Sequence, residues 1–485
     1  MSNTRKAIFF SFVSKYLSLI VQFASITIIA RLLTPEEIGI YSISAAFFGL
    51  LLLIRDFGIG SYLVQEKELT DERIAASITL SLSICWSLAL LIFLGRGFIA
   101  DFYSLPEMNE IFLLLTINLL IIPFGTITLA ILKRNMLFKD LMFIDIFSNI
   151  INASSSVVCA YLGMEYLSLA IASVLGTLAT VIASVFFRPK GIPWMPGLRE
   201  LKRVSSFGWK VSAANFFNHI SSTSTDLILG KMAGAVPVAI INRSYSTIKL
   251  FDQLIINAVN PVLQSYVSEL SRKNKGIKEA FLNVSCYNLI LAWPFLAFLS
   301  VNTESVVSLL FGDQWLETVP LIRIICISFG ISAVTKFYES FMVSMGHPSK
   351  NMRLAFVLML VKISLVIYFG NQGLTIICYA LIIPPIIRLL IIAKDIGCIL
   401  EMRLKDYNTV CTLPLLISLL IIVSNLSAQY LLSTNMNGAI TLTTNIITAS
   451  IAWLAIVYLL NHPIKQEVDK VLIKITNKIT KKEII

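Results

Sequence analysis

The sequence predicts an all-α polytopic membrane protein of about fourteen transmembrane helices, and three observations carry that prediction. The 485 residues are 56% hydrophobic and only 14% charged, with a mean hydropathy of +0.82, whereas a soluble domain carries about 25% charged residues. Apolar runs of about 20 residues, the length that crosses a bilayer as a helix, recur along the chain with short connections. The basic residues alternate between loops. With the N-terminus inside, cytoplasmic segments collect about 28 of the 39 Lys and Arg, and the outside loops hold only Arg31, Arg96 and Lys231.

Taken in order, the expected spans are 7–33, 38–63, 74–95, 110–132, 138–162, 165–187, 206–229, 235–267, 280–301, 319–345, 351–369, 372–394, 409–431 and 438–460. The run after Lys6 is too long for a signal-peptide core and reads as the first helix. Pro123, Pro261, Pro294 and the Pro384–Pro385 pair mark expected kinks. The string SFVSK at 11–15 returns as SFGWK at 206–210, each opening a polar-striped span on the same side of the membrane. That is the signature of a parallel internal repeat. The organisation expected is an N-lobe at 1–187 with spans 1–6, a basic cytoplasmic linker at 188–205 and a C-lobe at 206–394 with spans 7–12. Two added spans at 395–460 and a basic cytoplasmic tail at 461–485 complete it. Apolar residues interleave the tail lysines, as in an interfacial helix on anionic lipid. Loop charge therefore accounts for most of the net charge of +11 without a nucleic-acid partner.

Several function classes find no residues to support them. The chain has no G-x-x-x-x-G-K-[ST] phosphate loop and no G-x-S-x-G or H-E-x-x-H string. The seven cysteines form no C-x-x-C pair and the three histidines lie in separate segments, so neither a metal site nor a catalytic centre is expected. The reading is of a non-enzyme without cofactor.

What the chain does carry is polar stripes on membrane helices. Asn242, Ser246, Lys249, Gln253, Asn257, Asn260 and Gln264 share an arc of roughly 80° at helical spacing. Ser11, Lys15, Ser18, Gln22 and Ser25 share a face of the first span; Asp145, Asn149, Asn152 and Ser156 share one of the fifth. Asn215, His219, Ser222 and Asp226 do the same on the seventh. Ionisable groups at membrane depth face a bundle interior or a hydrated cavity, so these four helices are expected to surround a central path. Helix-packing contacts are the plain alternative for the stripes. Lys15, Arg55, Arg243 and Lys249 give the path a positive sign, which suits an anionic passenger. For Arg323, Lys336, Glu339, Lys362 and Arg388 the plain alternative is ion pairing among themselves.

Four strings then stand out: ARLLTPEEIGIYSI (30–43), RDFGIGSYLVQ (55–65), STDLILGKMAGAVPVAIINRSYS (224–246) and LFGDQWLETVPLIRI (310–324). In this order the sequence resembles the polysaccharide exporters of the oligosaccharide flippase family, part of the superfamily that includes drug extruders and the lipid II flippase. The resemblance implies two six-helix lobes around a cationic cavity and a cargo of undecaprenyl-pyrophosphate-linked oligosaccharide. That cargo would be moved from the cytoplasmic to the outer leaflet for capsule, exopolysaccharide or O-antigen assembly, driven by an ion gradient or the membrane potential. It implies pyrophosphate contacts at Lys15, Arg55 and Arg243 or Lys249, makes Asp145, Asp226 and Glu339 the candidates for ion coupling, and leaves polysaccharide polymerase machinery as an expected partner. A cation-coupled small-molecule or drug antiporter and a membrane scaffold of a synthesis complex are the competing readings.

Overall fold

The computed structural model describes residues 3–56, 58–249, 276–402, 404–432 and 438–459, with isolated positions elsewhere. Those residues form helices and no strand, because a backbone in lipid must satisfy its polar groups within its own segment. Eleven described helices are long and apolar enough to cross a membrane, and a bent pair makes twelve. The chain is a multi-pass membrane protein. Among the described residues the expected count of fourteen is not reached, for two reasons. Helix α9 (Leu201–Met232) forms but carries too many polar residues to count as an apolar span, and the 235–267 span is described only as helix α10 over 235–249 and at isolated positions beyond it.

Local sequence explains the early boundaries. Helix α1 (Asn3–Leu32) ends before Thr34, which begins a capping box for α2 (Pro35–Asp56). The Glu37 carboxylate accepts from the Thr34 amide at 2.6 Å and hydroxyl at 2.9 Å, while the Glu37 amide donates to the Thr34 hydroxyl at 3.3 Å. With Pro35 at the first helical position, T-P-E-E is thus a helix-start signal. The span expected at 38–63 runs over Pro35–Gln65 with a helix break inside it: Gly58 takes φ +63° between α2 and α3 (Ile59–Gln65). Thr70 caps α4 (Asp71–Tyr103) by accepting from the Arg73 amide.

Proline has three different outcomes. A 51° bend separates α5 (Met108–Ile121) from α6 (Pro123–Arg134). Helix α11 (Ile277–Phe311) runs through Pro294. Pro384 and Pro385 sit in the first turn of α16 (Ile383–Leu400), just past α15 (Leu374–Ala380), where a missing N–H costs nothing. Pro261 lies outside the described residues. The remaining helices are α7 (Phe138–Tyr161), α8 (Leu167–Phe186), α12 (Thr318–Val334), α13 (Tyr338–Ser344), α14 (Pro348–Phe369), α17 (Leu404–Leu432) and α18 (Gly438–Leu459).

The chain forms two compact units, interleaved in sequence: Met1–Ala258 with Leu310–Leu321 and Ser349–Pro384, and Val259–Leu309 with Ile322–Pro348 and Pro385–Ile485. In the first, small residues let backbones meet: a Cβ on Gly39 of α2 would lie 2.1 Å from the Ala235 carbonyl oxygen of α10, and one on Gly230 of α9 would lie 2.8 Å from Ile43 of α2. The segment after α8 is pinned to α4. The Gly197 amide donates to the Ala75 carbonyl at 3.1 Å, Thr79 donates to the Gly197 carbonyl at 2.7 Å, and Arg199 pairs with Glu72 at 2.7 Å. Arg188 lies 3.7 Å over the Trp194 ring, and its burial lowers the guanidinium below its ordinary value.

The second unit holds its last two helices by amides. Asn302, Asn425 and Asn445 are each at most 1% exposed; Asn302 donates to Asn425 at 3.1 Å and accepts from Asn445 at 2.6 Å and Gln429 at 3.2 Å. Trp453 donates to the Ile290 carbonyl at 2.9 Å. In lipid, where no hydrophobic force separates one apolar face from another, such bonds select the partner helix.

Candidate functional site

The polar faces of α1 and α7 meet in register. Ser14 donates to Asp145 at 3.4 Å, Asn149 to Ser18 at 3.1 Å, and Ser25 and Ser156 lie 3.1 Å apart, each pair separated by 131 residues. A constant separation means two parallel helices joined rung by rung, so much of both stripes is packing contact. Lys15 is exposed beside this seam and acts electrostatically on Asp145, as does Lys133.

What the rungs leave open is a cavity of about 390 Å³. Gln22 and Ser25 of α1, Tyr41 and Ser42 of α2, Asn149 and Asn152 of α7 and Arg243 of α10 line it. Four sequence-expected site residues, Gln22, Asn149, Asn152 and Arg243, therefore share one wall-to-wall space, and its lining contains no carboxylate. Asn152 is committed through its amide, which donates to the Ala172 carbonyl at 2.9 Å and packs on Gly176. Gln22 and Asn149 are exposed to the cavity side.

Arg243 is the group that stands out. It is 8% exposed, and its Nε is buried without a hydrogen-bond partner among the described residues. Its guanidinium instead lies 4.9 Å from the Phe311 ring centroid and 4.7 Å from that of Trp315. A buried charge is costly unless something meets it, and here two ring faces do so.

The expected residues do not form a single cluster. Arg55 lines a second cavity, of about 680 Å³, with Lys133, Ser61, Thr126 and Thr180, at the α2–α3 break and the α5–α6 bend. Asn242, on the stripe of α10, faces α9, where it hydrogen-bonds the Asp226 carboxylate; Lys362 and Lys249 act on that carboxylate from α14 and α10. Lys362 also donates to the Ser221 carbonyl at 2.7 Å, so it belongs with Asp226. Lys231 turns to the Phe102 carbonyl and ring. Lys249 is exposed with its ammonium 5.8 Å from the Tyr245 ring centroid, Gln253 is exposed, and Glu339 is exposed on α13 in the other unit. Asn215 lies on α9, its side chain outside the described set. Lys362 and the aromatic pair Phe311 and Trp315 were not singled out as site residues by sequence. The one available signal was the LFGDQW string, which has no membrane-helix rationale.

Asp226 and Lys362 are both half-buried. Lys362→Met is expected to destabilise the protein by about 1–3 kcal/mol, less than for a fully buried pair. Adding Asp226→Asn is expected to recover most of that loss. Thermal midpoints of the single and double variants in detergent check this; additive losses would show that the two groups do not interact.

This fold is shared with the lipid II flippase MurJ in an inward closed conformation, on which the chain superposes with a TM-score of 0.76, covering 95% of this chain and 100% of that one at 14% identity. The protein belongs to the polysaccharide biosynthesis protein family, whose sequence profile matches residues 28–320. Among its relatives are the teichuronic acid biosynthesis protein TuaB of Bacillus subtilis, 24% identical over 64% of each chain, and the lipopolysaccharide biosynthesis protein WzxC of Escherichia coli, 22% identical over 62% of each. The chain thus spans just under two thirds of the length of these two relatives.

Proposed function

We propose that the protein is a flippase that moves undecaprenyl-pyrophosphate-linked oligosaccharide repeat units from the cytoplasmic to the outer leaflet, for assembly of capsule, exopolysaccharide or O-antigen. The observation that carries this is Arg243: a buried guanidinium, met only by ring faces among the described residues, opening on an amide-lined cavity without a carboxylate. A phosphate-bearing headgroup takes charge-assisted bonds from such a group, and the amides of Gln22 and Asn149 suit the sugars behind it. A cationic-drug antiporter would need the opposite sign in this lining. Lys15, Arg55 and Lys249 are proposed to guide the headgroup at other stages of its passage, with Asp145, Asp226 and Glu339 as ion-coupling groups. Loop charge supports a bacterial inner-membrane protein with both termini inside, arranged as the two lobes and added helices expected from the repeat. Its activity is transport without an enzymatic step, beside polymerase machinery and anionic lipid.

Deleting the gene tests this reading. Lipid-linked repeat units are expected to accumulate on the cytoplasmic leaflet as surface polysaccharide falls, and complementation should reverse both. Normal surface polysaccharide without accumulation in a strain lacking paralogues would overturn it.

A further inference from the structure

Resting on that reading, we infer that Trp315 and Phe311 are positioning residues for the headgroup: their rings hold the Arg243 guanidinium at the cavity while leaving its N–H donors and its full charge to the anion.

The LFGDQW string supplies the geometry. Gly312 takes φ +93°, a conformation that favours glycine, and the turn that follows, closed by the Trp315 amide donating to the Gly312 carbonyl at 3.2 Å, brings Phe311 and Trp315 around one guanidinium. Both rings are essentially inaccessible, at 1% and 0% exposure. Trp315 is itself fixed: its indole N–H donates to the Ala30 carbonyl at 2.8 Å, Gln314 donates to the Ala30 and Leu33 carbonyls, and Thr318 donates to the Trp315 carbonyl at 2.6 Å. The bonds from Trp315 and Gln314 also satisfy carbonyls at the end of α1, which a helix terminus leaves without intrahelical partners.

The choice of aromatic partners has a consequence for binding. A carboxylate beside Arg243 would stabilise the cation equally well, but it would take its N–H donors and cancel its charge, so an incoming phosphate would have to displace it. A ring face attracts the cation through its quadrupole and accepts at the face, not along the N–H directions. The cation is held and the edge of the guanidinium stays usable. Gln22 and Asn149 line the same cavity as Arg243, and Trp315 ties the stack to α1, the helix that carries Gln22.

The test uses the full-length protein in nanodiscs, with undecaprenyl pyrophosphate and neutral undecaprenol as the two probes. Arg243→Gln and Trp315→Leu are each expected to weaken the pyrophosphate lipid about tenfold, the size of a lost desolvated cation–π or charged contact, with undecaprenol unchanged. Trp315→Phe keeps a ring face and loses only the bond to Ala30, and it is expected to stay within about threefold of the parent. Phe311→Leu gives an independent reading if Trp315→Leu does not fold. Parent affinity in both Trp315→Leu and Phe311→Leu, with Arg243→Gln defective, would overturn the positioning role alone. Equal loss of both probes in the ring variants would also overturn it, since that is the mark of a merely structural role. Parent affinity in Arg243→Gln would overturn the headgroup reading itself.

Discussion

Arg243→Gln is expected to reduce export of repeat units by roughly ten- to a hundredfold at unchanged protein level. One or two hydrogen bonds to a charged group contribute about 1.5–3 kcal/mol each, and each 1.4 kcal/mol is about a factor of ten. Glutamine keeps much of the side-chain length and some donor capacity, so the effect isolates the charge and the guanidinium geometry. Removing the buried cation takes away a desolvation cost that offsets the lost ring contacts, so the variant should fold about as well as the parent. Lower activity at similar stability is the opposite of what a core residue shows. Arg243→Lys is expected to be intermediate, because an ammonium supplies charge without the planar fork and stacks less well on Phe311 and Trp315. Surface polysaccharide in a complemented deletion strain, normalised to protein in the membrane, measures it. Full complementation by Arg243→Gln would remove the cavity from the transport path.

Gly39→Leu is expected to show the largest loss of folding, about 3 kcal/mol or more. A Cβ at Gly39 would sit 2.1 Å from the Ala235 oxygen and 2.5 Å from the Ala235 carbonyl carbon. Those are backbone atoms, so no rotamer change can relieve the clash and α2 must move away from α10. Because α10 carries Arg243 and Asn242, the displacement should reach both the cavity and the Asp226 cluster. Even Gly39→Ala meets the same backbone atoms and should melt early. Gly97→Ala is the matched control: a Cβ there meets nothing within 4 Å, and a helix-interior glycine replaced by alanine gains about 0.5–1 kcal/mol. Monodisperse protein remaining after heating in detergent reports both. Parent-like melting of Gly39→Leu would show that the two backbones are not in contact.

The arrangement of the polar residues shows how far the stripes could be read. Periodicity put Asp145, Asn149, Asn152 and Ser156 on one face of α7, and the structure finds that face occupied. Part of it is spent on the rungs to α1 and on Ala172 of α8, and part lines the cavity. On the α10 stripe, Asn242 bonds Asp226 and Lys249 is exposed, while Asn257, Asn260 and Gln264 lie outside the described residues. Arg243, one residue off the stripe, lines the cavity with Gln22 and Asn149. A helical wheel gives the direction of a side chain from its own axis, but not which neighbour waits there. Asp226 and Lys362 stand 136 positions apart in sequence, and no periodicity links them.

The sequence by itself determined the class of molecule, the order of its apolar helices and their early boundaries, because these depend on interactions within a segment. Transfer of about 20 apolar residues into lipid makes a span, a T-P-E-E string starts a helix, and loop lysines bias orientation. Only the tertiary structure decided the site. It placed Trp315 and Phe311 around Arg243, separated Arg55 from Arg243 into another cavity, put a helix break inside the second span at Gly58, and gave Asp226 its partners. The physical reason is that in lipid every apolar face is about equally content against any other. Specific packing is therefore set by close backbone approach at small residues and by a few polar bonds between distant segments, and neither leaves a periodic trace in the chain.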